Sequence, residues 1–85
     1  MNGKNNYRSM KAVELSVPPK DIFYISWNLD ASEGLGFLET NDAKAGRVTV
    51  YTPAGLIEYV YSFIESVRAE GVDVVLNRVR ELGEQ

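Results

Sequence analysis

The chain has 85 residues, 45% hydrophobic and 25% charged, with a net charge of −3 and neither histidine nor cysteine. That length supports one small core, and the balance is that of a folded globular domain. The missing residue types remove the commonest general base, thiolate chemistry and disulfides, and nine basic residues scattered among twelve acidic ones offer no concentrated basic face to nucleic acid.

Residues 1–10 open with Asn, Gly and Lys and no periodicity, which predicts a flexible tail before a single domain over 11–85. The polar start lacks the apolar region of a signal peptide, and no stretch approaches the roughly 20 apolar residues of a membrane span. A cytoplasmic location and no membrane partner are the expectation.

From Lys11 to Val17 the side chains alternate. Val13, Leu15 and Val17 share one face and Glu14 and Ser16 the other, which predicts a half-buried strand. Pro18-Pro19 ends it, because proline cannot donate to a ladder. Pro19 also suits a first helical turn, and Asp21 complements a helix N-terminus. A helix is expected from about Pro19 to Ser32, with Ile22, Ile25 and Leu29 as one stripe and Phe23 and Trp27 as a neighbouring one. Gly34 follows as a left-handed cap.

Leu35 to Thr40 predicts a second strand, Asn41 to Gly46 a turn, and Arg47 to Thr52 a third strand. In the third, Val48 and Val50 face inward and Thr49 and Tyr51 outward. Thr52-Pro53 reads as N-cap and first helical residue. The next helix carries Ile57, Val60, Tyr61, Ile64 and Val67 on its inner stripe, to about Glu70, and Gly71 stops it. Val72 to Leu82 fits either period. The β-branched Val74-Val75 pair, and an otherwise bare edge beside the first strand, favour a strand to about Arg78.

The order β-α-β-β-α-β, with both crossovers right-handed, gives a ferredoxin-like α+β sandwich. Its four-stranded antiparallel sheet carries both helices on one face. Leu38, Tyr51 and Val75 are candidates for the free sheet face. With Phe23 and Trp27, they exceed what two thin layers need. Phe23, Trp27, Leu38 and Tyr51 are therefore the candidate interface of a homodimer or protein complex, against the plainer reading of a wide buried arc.

No catalytic or metal motif stands. Glu33 to Glu39 lacks the basic residue and paired aromatics of an RNA-recognition strand. Gly34-Leu35-Gly36 precedes a strand and lacks the third glycine of a dinucleotide loop. Asp21, Asp30, Glu33, Glu39 and Asp42 are not at metal-ligand spacing. The serines have no histidine to activate them. No enzyme activity, cofactor, metal or nucleic acid is expected. The loop Pro18-Pro19-Lys20-Asp21 does present backbone amides where small anions are favoured.

In topology, residues 11–78 resemble ACT-type regulatory domains, βαββαβ modules that often pair side by side and bind amino acids near the first loop. A closer resemblance rests on Val17-Pro18-Pro19-Lys20-Asp21-Ile22-Phe23-Tyr24, Glu33-Gly34-Leu35 with Thr40 beyond it, Gly46-Arg47-Val48 and Thr52-Pro53. These are similar to a family of small bacterial proteins that form a domain of unknown function. The expectation is a non-enzymatic ACT-like regulatory module that dimerises and binds a small metabolite or amino acid. Pro18, Pro19, Lys20, Asp21, Gly34 and Gly36 are its candidate ligand site. The alternative is a protein–protein adaptor with no small ligand.

Overall fold

The computed structural model of the protein describes residues 9–82. The elements are β1 (Met10–Ser16), α1 (Ile22–Ala31), β2 (Phe37–Asp42), β3 (Arg47–Pro53), α2 (Ile57–Ala69) and β4 (Val75–Leu82). A 3-10 turn precedes each helix, over Pro19–Asp21 and Ala54–Leu56. The sheet order is β2-β3-β1-β4, with every neighbouring pair antiparallel. This is the ferredoxin-like α+β arrangement that the alternating periods predict. The tail expected over 1–10 lies outside the described residues except for Ser9 and Met10, and Met10 already opens β1, opposite Pro53 and Leu82.

Residues directly opposite on paired strands share a face, so the register sorts the sheet into rows. Val13 lies between Val50 and Val79, and Leu15 between Val48 and Leu76. These rows meet Ile25 and Leu29 of α1 and Val60, Ile64 and Val67 of α2, all buried. The helical stripes are those expected, except that Tyr61 sits at the margin of its stripe and is exposed.

Four expectations change. Leu38 stands opposite Val50 and packs against the core, so it does not lie on the free face. The phase of β2 is set by Phe37 standing opposite Tyr51. Leu35 is buried ahead of the strand, which begins only at Phe37. Thr52 does not cap a helix. Pairing with β1 continues to Pro53, and the Thr52 hydroxyl donates to the Leu35 carbonyl at 2.8 Å. Lastly, β4 runs from Val75 to Leu82 and not from Val72 to Arg78. Val72 and Val74 serve the core from the preceding loop, and an irregularity opposite Glu14 and Leu15 resets the alternation so that Val79 faces inward.

Candidate functional site

The six candidate ligand residues do not form one site. Pro18–Asp21 precedes α1, whereas Gly34 and Gly36 follow it, so a ten-residue helix of about 15 Å separates them. The first loop instead touches the β2–β3 turn, where the Val17 amide donates to the Gly46 carbonyl at 2.8 Å. Lys20 pairs with its neighbour Asp21 at 3.2 Å on the surface. Gly36 lies at the other end of β3, and a Cβ there would stand 2.3 Å from the Tyr51 carbonyl oxygen. That closeness explains the glycine by backbone packing.

The candidate interface residues also separate. Phe23 and Trp27 lie on the outer side of α1, 77% and 67% exposed, with ring centroids 6.4 Å apart. With Ser26 and Asp30 they border a hollow of about 180 Å³. Tyr51 is on the opposite side of the molecule, on the open sheet face, stacked on Phe37 at 5.1 Å. Leu38 is at the core.

The helix side has a shallow hollow of about 550 Å³ beside the end of α1, bordered by Leu35, Leu56, Tyr59 and Phe63 with several serines. The open sheet face has a second hollow, about 540 Å³, and its floor is polar. Its outward rows follow from the register. Phe37, Tyr51, Ala12 and Arg80 form one, and Glu39, Thr49, Glu14 and Arg78 the next. Arg47, Ser16 and Val75 form a third.

These side chains hold one another. Arg80 Nε donates to Glu14 Oε2 at 2.6 Å, and Arg78 Nη2 donates to the same oxygen at 3.3 Å. The Tyr51 hydroxyl donates to Glu39 Oε1 at 2.7 Å, and Thr49 Oγ1 to Asn41 Oδ1 at 2.7 Å. Asn77 Nδ2 donates to Ser16 Oγ at 2.9 Å. Ala12 and Thr49 are buried although they face outward, because the longer side chains of neighbouring strands close over them. The Arg80 and Arg78 hydrogen bonds hold the Glu14 carboxyl below its ordinary pKa, so it stays ionised. The bond from Tyr51 to Glu39 raises the phenol's pKa, so Tyr51 stays protonated at neutral pH.

Sequence reasoning placed Glu14, Thr49 and Tyr51 on the outward face but missed Arg78, Arg80 and Asn77. The pattern Arg78-Val79-Arg80 around one apolar residue was the available signal. It was hidden because the strand was expected to end at Arg78. Among the described residues, no three carboxylates come together as a metal cluster, and no helix is long and apolar enough to cross a membrane.

The family model described as Domain of unknown function (DUF4911) matches residues 15–70. That span runs from the end of β1 through α2. It includes Asn41, Arg47, Thr49 and Tyr51 of the open face and stops before β4. No curated protein and no solved structure matches the chain.

Proposed function

The chain belongs to the DUF4911 family, and we propose that it is a non-enzymatic, ACT-like small-ligand-binding module whose site is the open sheet face. The observation that carries this is the polar hollow of about 540 Å³ lined by residues of all four strands. That volume lies within the roughly 300–1,000 Å³ of small-molecule sites. Side chains rooted on strands and held by mutual hydrogen bonds are pre-organised, which lowers the ordering cost of binding. The chain supplies no histidine or cysteine to act as base or nucleophile, which favours binding over turnover. A fragment screen followed by amide chemical shifts tests this. Hits that move Ser16, Thr49 and Asn77 support the reading. Hits confined to the helix-side hollow at Tyr59 and Phe63 refute it.

A second reading rests on a separate observation, the exposed Phe23–Trp27 pair. Large aromatics that contribute nothing to their own core are typical anchors of protein contacts. In this reading α1 is an interaction surface, and a homodimer is its simplest occupant. Sedimentation equilibrium on wild type and Trp27→Lys tests it. A dimer that becomes a folded monomer supports it, whereas a monomeric wild type with no captured partner removes the dimer.

A further inference from the structure

Resting on the sheet-face reading above, we infer that the ligand is a small anion rich in hydrogen-bond acceptors, a carboxylate or phosphate compound, seated between Arg47 and Arg80. The inference comes from how hydrogen-bond capacity is distributed across the hollow. Each bond already made on this face uses one donor and one acceptor. Glu14 Oε2 takes two donors, and Glu39 Oε1, Asn41 Oδ1 and Ser16 Oγ take one each. Among the described residues, Glu14 Oε1 and Glu39 Oε2 stay without a hydrogen bond, and the larger surplus is of donors. Each guanidinium carries about five N–H groups in a planar fork. Arg80 and Arg78 each spend one hydrogen bond, on Glu14. The Arg47 guanidinium has no hydrogen bond or ion pair within the described residues, although the residue borders the hollow. The Asn41 amide nitrogen is likewise unspent, since only its oxygen is engaged.

Charge points the same way. Three of the four described arginines, Arg47, Arg78 and Arg80, lie on this face of a chain whose net charge is −3. Three carboxylates share the face, Glu14, Glu39 and Asp42, the last directly opposite Arg47. Glu14 is matched by two arginines, so it acts as an anchor for the guanidinium forks, and Glu39 lies outside the hollow's lining and accepts from Tyr51. Asp42, at the rim, is drawn into the turn, where the Ala45 amide donates to its Oδ1 at 3.1 Å. Arg47 and Arg80 sit two strands apart, at the levels of Ser16 and Ala12 on β1. Two such long side chains reaching across β1 can converge on one small ligand. Guanidinium forks match carboxylate and phosphate oxygens in pairs, which an ammonium or a sugar hydroxyl cannot exploit.

The test uses ¹⁵N-labelled full-length protein at constant ionic strength. It is titrated separately with inorganic phosphate, citrate, putrescine and glucose. The expected result is a saturable shift of the Ser16, Thr49 and Asn77 amides with phosphate or citrate and with neither control. Citrate alone identifies a carboxylate source, and phosphate alone a phosphate source. Arg47→Gln, an exposed change at the edge of the hairpin, should weaken that binding by about tenfold or more, the scale of one charge-assisted hydrogen bond. Saturation by putrescine or glucose at these amides overturns the anion while leaving a ligand site on the sheet. Silence from all four probes, with fragment hits elsewhere, overturns both. Anion binding that Arg47→Gln leaves unchanged also overturns the assignment.

Discussion

Gly46 gives the sharpest test of how the sheet is tied to the first loop. Its φ is +74°, in the left-handed region, and a Cβ built on it would lie 1.9 Å from the Val17 carbonyl oxygen and 3.1 Å from the carbonyl carbon. Both contacts are backbone, so no side chain can swing aside. In Gly46→Ala the left-handed conformation alone costs about 1–2 kcal/mol. Backing the turn away from β1 also stretches the 2.8 Å bond from the Val17 amide to the Gly46 carbonyl, worth about 0.5–1.5 kcal/mol. Alanine stiffens the unfolded chain and returns about 0.4–1 kcal/mol. With the steric displacement added, the net loss is about 2–4 kcal/mol, or about 10–25 °C in the thermal midpoint of a domain this small. Circular dichroism melts measure it. The control is Gly55→Ala, where a Cβ meets nothing within 4 Å, and it should stay within about 0.5 kcal/mol of wild type. A Gly46→Ala protein as stable as that control would refute the contact between hairpin and loop.

Leu29→Ala removes a fully buried side chain where α1 meets the sheet and should cost about 3–5 kcal/mol in urea unfolding. Thr52→Val keeps the shape but strands the Leu35 carbonyl, so a loss of about 1–3 kcal/mol is expected by the same assay. Trp27→Lys changes a residue 67% exposed and should leave stability within about 0.5 kcal/mol. An unfolded Trp27→Lys protein would place the indole in the core. Glu14 has a folded pKa below its ordinary value, chiefly through the Arg80 hydrogen bond. Its contribution is therefore present above the unfolded carboxylate pKa and lost as pH falls through the folded value. Stability of wild type measured from pH 6 to pH 2 should fall more steeply than that of Glu14→Gln, and identical acid limbs would show that the arginines do not hold the carboxylate.

The fold was legible because each element carries its own period. β1 alternates cleanly, α1 and α2 repeat Ile25 with Leu29 and Val60 with Ile64 and Val67, and the sheet order is that of the split βαβ arrangement. What escaped depends on contacts between distant residues. The phase of β2 is set by its partner, so Leu38 is apolar on either face and only pairing with Val50 assigns it. Thr52-Pro53 has the composition of a helix start, but ladder bonds to β1 hold it extended. The open-face network joins Glu14 to Arg80, 66 positions apart. Local spacing cannot show that pair. The loop Pro18–Asp21 was conspicuous because prolines are conspicuous, and its stiffness serves the packing against Gly46.

Native mass spectrometry of gently purified full-length protein addresses the sheet-face site most directly. The account predicts a stoichiometric small adduct on the wild-type protein, lost or strongly reduced in Arg47→Gln. Bare protein in both samples, or an adduct that Arg47→Gln retains in full, would contradict it.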